Sequence, residues 1–401
     1  MGEIERTVRS GTRPEIQALR ALAVGAVVLH HGWPAVAPAG YLGVDVFFVV
    51  SGFLITGMLF REHQRDGRIS LGRFYLRRAR RILPAAVVVL AAVAAATLAF
   101  VPKQEWFQWF REIVASALYV ENWQLAADSQ NPARDDLAST PVQHFWSLSV
   151  EEQFYLVWPL LLILALWVAA RRGYDARRVV LLGLGAVTVG SFALCLAVTA
   201  QDHNLAYFST LTRTWEFGVG GLLAVLLATG RARAGGANLR AAASWLGLAA
   251  ILAPILTFRT PEAFPGAVAL LPVLGTALVI WAGMPAPRWS PSGIAGLAPV
   301  QWAGDLSYSL YLWHWPIIMF APYVTGVASP PWMMVLLIVL SFAVAAASKR
   351  WIEDPFRRAG SSARARPLAL VGSFALSMAL IVGAGVVAPD VAREELACER
   401  H

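Results

Sequence analysis

The chain has 401 residues, of which 57% are hydrophobic and 14% are charged, and its mean hydropathy is +0.57. These values exclude an ordinary soluble domain and predict an all-α, polytopic membrane protein. The formal net charge of +8 does not indicate nucleic-acid binding, because the arginines cluster at the ends of apolar runs. The two cysteines, Cys195 and Cys398, provide neither a disulfide framework nor a metal-binding spacing.

Eleven apolar runs approach the roughly 20 residues that a bilayer core requires. They are predicted as spans at 19–36, 41–60, 82–101, 145–170, 179–200, 211–229, 241–258, 266–283, 301–322, 332–348 and 367–388. The first run is expected to be a retained span and not a cleaved signal, because two histidines interrupt it before any cleavage site. Residues 61–81 are interpreted as a strongly basic loop. The aromatic-rich segment 106–123 is predicted to be an interfacial or re-entrant helix, followed by a loop.

The distribution of arginine indicates the orientation of these spans. With the N-terminus inside and segment 106–123 not spanning, 26 of the 33 lysines and arginines lie inside, Arg20 included. The C-terminus is then extracytoplasmic. This orientation separates an outer set of polar residues, among them Asp45, His144 and Glu152, from an inner set that contains Arg20 and the arginines of 73–81.

The first two spans carry ionisable residues at membrane depth, which marks them as functional candidates. Arg20 and His31 are eleven residues apart, so they lie on one helix face about 16 Å apart along the axis, whereas His30 points about 100° away. Asp45 lies in the second span. The structural alternative is an interhelical hydrogen bond that only stabilises the bundle.

Span 4 opens with the run HFWSLSVEEQFYLVWP. His144 and Glu151 are seven residues apart, a spacing that predicts a shared helix face, and Glu152 occupies the neighbouring face. Such carboxylates can orient an imidazole or bind a sugar hydroxyl. The alternative is that acidic residues simply favour the positive end of the helix dipole.

Spans 6 and 9 each hold a further polar group. In span 6, Arg213 and Glu216 have the i, i+3 spacing of an ion pair. In span 9, Tyr311 and His314 share a face beside Pro316. For the neighbouring tryptophans an aromatic membrane belt is the preferred interpretation.

Four arginines, Arg77, Arg78, Arg80 and Arg81, cluster before span 3. Guanidinium groups bind phosphates bidentately, so the cluster predicts a site for an anionic cytosolic ligand. The alternative is charge that only orients the span. The sequence holds no P-loop, GxSxG, HExxH or CxxC motif, and no metal site or bound cofactor is expected.

Together these motifs resemble the acyltransferase-3 family of bacterial integral-membrane O-acyltransferases. They are Arg20-x10-His31, GYLGVDVFFVVSGFLI (40–55), FYLRRARRILPA (74–85), HFWSLSVEEQFYLVWP (144–159), TRTWEFGVG (212–220), GDLSYSLYLWHWP (304–316) and RWIEDPFR (350–357). The resemblance implies a ten-helix domain, critical roles for Arg20 and His31, a cytoplasmic acyl-CoA donor, and an acceptor hydroxyl on a surface or exported glycan.

On this basis we expect an acyltransferase domain over 1–366, and an eleventh span with a short extracytoplasmic tail over 367–401, in the bacterial cytoplasmic membrane. The donor co-substrate is expected to be acetyl-CoA, and the acceptor a carbohydrate or glycolipid. His31, Arg20 and Glu152 are the expected catalytic residues. The acceptor is assigned to Asp45, His144, Glu151, Arg213, Glu216, Tyr311 and His314, and the donor to the four clustered arginines.

One departure from the family pattern concerns the C-terminus. Many relatives with an eleventh span carry an SGNH hydrolase-like domain after it, whereas here about 13 residues follow. An SGNH-type partner in the same or another chain is therefore a candidate for the later transfer step. Two rival functions are a transporter of an acylated or glycosidic metabolite, against which the absence of an inverted repeat argues, and a non-catalytic scaffold.

Overall fold

The computed structural model of the chain describes residues 13–131, 139–228, 235–359 and 367–398. Within these ranges the regular structure is entirely helical, which confirms the predicted all-α class. The helices are α1 Pro14–Gly32, α2 Gly43–Asp66, α3 Leu71–Phe100, α4 Trp106–Ala117, α5 Glu121–Asp128, α6 Phe145–Arg172, α7 Ala176–Thr199, α8 His203–Phe208, α9 Thr210–Leu227, α10 Ala237–Thr257, α11 Leu270–Ala282, α12 Ser292–Ala295, α13 Ala298–Thr325, α14 Pro331–Ser348, α15 Asp354–Ala359 and α16 Pro367–Cys398.

Seven helical stretches in the described ranges are long and apolar enough to cross a membrane, so the chain is a multi-pass membrane protein. They are Gly40–Asp66, Leu71–Phe100, Phe145–Arg172, Ala176–Thr199, Ala237–Thr257, Pro331–Arg357 and Phe374–Arg393. The other four predicted spans coincide with α1, α9, α11 and α13, of which α11 is only 13 residues long. The count of eleven spans remains a prediction.

The basic stretch 61–81 is not a loop, contrary to the prediction. α2 continues to Asp66, and α3 begins at Leu71, so only residues 67–70 connect them. Gly67, with a φ of 68°, ends α2 in the left-handed conformation that glycine adopts without strain. Arginine is a good helix former, and the single glycine between Leu71 and Arg81 is Gly72, in the first turn, so charge alone was a poor signal for a loop. The four clustered arginines therefore lie on α3.

The aromatic-rich segment 106–123 is helical as predicted, but it is two helices and not one. Tyr119, with a φ of 55°, separates α4 from α5. Trp109 is buried, and its ring makes edge-to-face contacts with Phe320 and Tyr323, at ring-centroid distances of 5.4 and 5.2 Å. The aromatic side of α4 thus packs largely against protein, while Phe107 remains about half exposed.

Two carboxyl groups of α4 and α5 are buried in this non-spanning segment. Glu112 accepts hydrogen bonds from Thr140 and from Gln108, and Glu121 is completely inaccessible to solvent. Burial raises the pKa of both side chains, and the neighbouring charge of Glu112 raises the pKa of Glu121 further. Each prefers the protonated form in the folded protein.

We expect the folded state to lose stability as the pH rises above the ordinary glutamate pKa of about 4.3, because these carboxyls then ionise in the unfolded chain while burial keeps them protonated in the folded state; the loss is complete once the pH passes their raised pKa. Each pKa unit of elevation costs about 1.4 kcal/mol once the group is ionised. Glu121→Gln should flatten the dependence of denaturation temperature on pH, whereas Glu262→Gln, which changes an exposed carboxyl, should not. Superimposable profiles for Glu121→Gln and wild type would contradict this assignment.

The chain divides into two compact units, one formed by residues 1–69 and 153–307 and the other by 70–152 and 308–401. In the first unit, α9 packs against both α2 and α7, and α10 packs against α11. A Cβ at Gly52 would lie 1.9 Å from the Phe217 carbonyl oxygen, and a Cβ at Gly220 would lie 2.0 Å from that of Val49. Only glycine permits this close approach of α2 and α9, which is typical of packed membrane helices.

In the second unit, α16 packs against α3 and α4. This helix runs from Pro367 to Cys398, so the predicted tail after span 11 is helical up to Cys398; residues 399–401 lie outside the described part. A π-helix, Lys349–Glu353, follows α14 and leads directly into α15. π-turns of this kind occur frequently at functional sites. The proposed boundary between 1–366 and 367–401 remains a prediction.

Candidate functional site

The α1–α2 hairpin fixes His30 and distinguishes it from its neighbour. His30 Nδ1 donates a hydrogen bond of 2.9 Å to the Ala37 carbonyl, and its ring contacts Tyr41 edge-on. The loop returns closely onto α1 because residue 40 is glycine: a Cβ there would lie 2.1 Å from the Ala26 carbonyl oxygen. His30 therefore holds the loop against α1, which is a structural role.

Arg20 and His31 occupy the same helix, α1, as predicted. Arg20 Nη1 donates a hydrogen bond of 2.8 Å to Gln17 Oε1, one turn earlier. The side chains of Arg20 and His31 are half-buried. Because α1 is unbroken from Pro14 to Gly32, the eleven-residue spacing places the two on one helix face.

Asp45, Arg213 and Glu216 form a buried ionic cluster between α2 and α9. Arg213 Nη2 lies 3.1 Å from Asp45 Oδ1, and Arg213 Nε lies 2.8 Å from Glu216 Oε1. All three side chains are completely inaccessible to solvent. Three rings surround the guanidinium, at centroid distances of 5.0 Å for Phe264, 5.6 Å for Phe48 and 5.7 Å for Tyr207.

This arrangement confirms the predicted Arg213–Glu216 pair and adds Asp45 to it. The cluster holds one cation and two carboxyl groups away from solvent, and such a group is stable only while its partners remain together. The three side chains contact one another and are closed to solvent. A part in acceptor binding remains a prediction for all of them.

A second cluster brings together three of the seven residues that were assigned to the acceptor: His144, Tyr311 and His314. Their ring centroids lie 5.4 to 5.8 Å apart. His144 Nε2 donates to the Leu312 carbonyl at 3.2 Å, and Nδ1 is buried without a hydrogen-bond partner in the described residues. His314 Nδ1 donates to the backbone carbonyls of its own helix.

The position of His144 corrects one prediction. His144 lies in the turn before α6, which begins at Phe145, so it does not share a helix face with Glu151. It is instead fixed by tertiary contacts: Tyr311 Oη donates to the His144 carbonyl at 3.1 Å, and Ser147 Oγ lies 2.6 Å from Tyr311 Oη. Sequence reasoning missed Ser147, although its position three residues after His144 was a usable signal.

The arginine cluster of α3 meets the start of α6. Arg78 Nη2 donates to Glu152 Oε1 at 3.2 Å, and Arg81 acts electrostatically on both Glu152 and Glu353. This contact contradicts the separation of Arg78 and Glu152 into an inner and an outer set. The separation assumed that charges near the starts of α3 and α6 lie on opposite sides of the membrane, whereas Arg78 and Glu152, each the eighth residue of its helix, are in contact.

The remaining arginines differ in environment. Arg77 is exposed, whereas Arg80 is half-buried and its Nε has no hydrogen-bond partner in the described residues.

Nearby, Tyr308 Oη donates to the Ile82 carbonyl at 2.8 Å, and Ser309 Oγ donates to Glu353 of the π-helix. The motif around Glu353 was quoted for its resemblance, but its role as a buried carboxyl was missed. Within the described ranges no three His, Cys, Asp or Glu side chains could hold a metal ion.

Several characterised or named proteins are similar to this chain. It is 32% identical over 368 residues to the peptidoglycan O-acetyltransferase OatA of Listeria monocytogenes, covering 89% of this chain and 58% of the relative. A candidate O-acetyltransferase of Staphylococcus aureus is 32% identical, covering 87% and 58%. YrhL, a candidate peptidoglycan O-acetyltransferase of Bacillus subtilis, is 29% identical, covering 86% and 55%.

The chain thus spans less than three fifths of the length of these relatives. No solved structure is significantly similar to it. The family model described as "Acyltransferase domain" (Acyl_transf_3) matches residues 13–350, which include the α1–α2 hairpin, the arginines of α3 and both polar clusters. The chain belongs to this acyltransferase family.

Proposed function

We propose that this protein is a membrane O-acetyltransferase that moves an acetyl group from cytoplasmic acetyl-CoA to a hydroxyl of a cell-wall glycan. Membership of the acyltransferase family and the names of the similar proteins support acyl transfer to peptidoglycan. The observation that carries the assignment of the base is the α1–α2 hairpin, where His30 is committed to the Ala37 carbonyl. His31 lies on the same helix face as Arg20, so we assign the role of general base to His31.

In this mechanism His31 acts as general base. It takes the proton of the acceptor hydroxyl, or of a relay group, as that oxygen attacks the thioester carbonyl carbon. The new C–O bond forms, the C–S bond breaks, and CoA leaves as a thiolate that takes up a proton. Arg20 orients the donor by a charge-assisted hydrogen bond.

The phosphates of the donor are assigned to the arginines on the first three turns of α3. Arg77, Arg80 and Arg81 supply positive charge on one stretch of helix, and the unpaired Nε of Arg80 is a donor suited to a phosphate oxygen. Arg78 is paired with Glu152, so it is expected to position the cluster. Glu152 contributes by holding Arg78.

Arg80→Gln combined with Arg81→Gln should weaken CoA binding by about tenfold or more, because charge-assisted hydrogen bonds to phosphate are lost. High salt should reproduce part of the loss for the exposed charges. The matched control is Arg73→Gln, which removes a charge from the same helix two turns earlier. Calorimetry on purified protein would measure this, and an unchanged CoA affinity in the double variant would limit these arginines to membrane orientation.

The acceptor is assigned to the polar residues nearer the extracytoplasmic side, with the N-terminus in the cytoplasm. His144, Tyr311 and His314 form one candidate group, and Glu151 extends it; Asp45, Arg213 and Glu216 form another. An SGNH-type domain, in the same or another chain, is the proposed carrier for the final transfer. The length of the relatives is the reason to expect such a partner.

Two measurements test the function. Mass spectrometry of glycans from cells with and without this chain should show an acetyl increment on one species, which names the acceptor. Purified protein should also hydrolyse or transfer the acetyl group of acetyl-CoA. A protein that leaves acetyl-CoA intact and moves an acylated metabolite between vesicle compartments would be a transporter instead.

A further inference from the structure

An apolar groove of about 520 Å³ opens on the first compact unit, and neither polar cluster contributes a residue to its lining. It is lined by one face each of α1 and α10, by α11 and α12, and by the start of α13; Leu22, Leu248 and Val300 are representative. Its rim includes Trp245 and Ile294, which are 42% and 57% exposed. From Ser244 to Leu252 the groove extends about 12 Å along α10.

The groove has a polar end, which carries positive charge. Arg240 lies four residues before Ser244, on the same face of α10 and about 6 Å further along it. Its Nε is buried and has no hydrogen-bond partner in the described residues. Arg288 is exposed and precedes Trp289, whose carbonyl accepts a hydrogen bond of 2.8 Å from Trp245 Nε1. Both arginines therefore flank this end.

The acidic residue that lines the groove does not oppose an anion there. Glu15 is paired with Arg13, whose Nε donates to Glu15 Oε1 at 2.7 Å. Arg13 also donates to the Ile280 carbonyl at 3.0 Å, so the pair is fixed within the unit. Among the described residues, Arg240 and Arg288 are then the cations that set the charge at this end of the groove.

We propose that this groove binds one anionic phospholipid of the bilayer, with an acyl chain against the apolar lining and the phosphate between Arg240 and Arg288. An apolar slot ending at two guanidinium groups complements an acyl chain that ends at a phosphate. A lipid without a phosphate would leave the buried Arg240 Nε unsatisfied, which is costly. A zwitterionic lipid would bring its own cation close to the two guanidinium groups, so an anionic headgroup is favoured. The site does not depend on the proposed reaction.

The test uses the full chain in nanodiscs of phosphatidylcholine with phosphatidylglycerol, followed by delipidation and native mass spectrometry. Wild-type protein should retain phosphatidylglycerol, and Arg240→Gln with Arg288→Gln should lower its occupancy by about tenfold. Arg171→Gln with Arg172→Gln, which also removes two charges from the end of a helix, should retain it. Ala303→Phe, which fills the groove, should prevent binding.

A photoreactive acyl chain provides a second measurement that does not require any variant. Cross-links should map to residues 18–22 and 244–252. Equal retention of phosphatidylcholine and phosphatidylglycerol, unchanged retention in the arginine variant, cross-links elsewhere, or the selective capture of a polyprenyl phosphate would each overturn the proposal.

Discussion

Replacing His31 by glutamine is expected to lower acetyl transfer by about two to four orders of magnitude, the range for loss of a general base. Glutamine keeps the hydrogen-bonding capacity and most of the volume of histidine, so the packing of α1 should survive. It removes the nitrogen that takes the proton. The measurement is the O-acetyl content of the acceptor glycan at matched amounts of the protein in the membrane.

His30→Gln is the matched control, because it makes the same change one residue earlier on α1. The glutamine amide can still donate to the Ala37 carbonyl, so a loss of about 1 kcal/mol of stability and a mild loss of activity are expected. If the His30 variant is the less active of the two, the base has been assigned to the wrong histidine. His144 or His314 would then be the next candidate.

Arg213→Leu is expected to prevent accumulation of the folded protein. The change leaves Asp45 and Glu216 buried without their cation, and an uncompensated charge of this kind costs roughly 3–5 kcal/mol. That loss is a large part of the stability of an ordinary domain. Denaturation temperature and the yield of monodisperse protein in detergent measure the effect.

The control for Arg213 removes the charges together. Arg213→Leu combined with Asp45→Asn and Glu216→Gln leaves no ionised group in the cluster, so it should recover part of the stability lost in the single variant. A stable single variant that has lost only its affinity for the acceptor would indicate that the cluster is a binding site. If the cluster is only structural, the single variant should be unstable, and the triple variant should be more stable than the single one.

The sequence alone predicted the membrane class, the position of most helices and the Arg213–Glu216 pair, because hydrophobic runs and i, i+3 spacing are local signals. It could not predict that Asp45 joins that pair, since 168 residues separate Asp45 from Arg213. Tertiary packing between α2 and α9 decides this contact. Gly52 and Gly220 make it possible, and a glycine in an apolar run does not by itself reveal a partner helix.

The contact between Arg78 and Glu152 was missed for a different reason. Sorting charges by the arginine count assumes that every helix end lies at a membrane surface. Arg78 and Glu152 meet about two turns inside their helices, so the sorting fails there. His144 was misassigned to a helix face for another reason: helical spacing was applied to a residue that lies in the turn just before Phe145, the first residue of α6.

The π-helix at Lys349–Glu353 has a consequence for the length of the chain. A π-turn accommodates one more residue than an α-turn. A chain shorter by one residue in this segment could form an unbroken α-helix from α14 into α15. At the present length, an unbroken α-helix would instead turn Glu353 by about 100° from its present direction, away from Ser309. The π-turn thus absorbs one residue and keeps a buried carboxyl aimed at its partner, so at this point the number of residues matters as much as their identity.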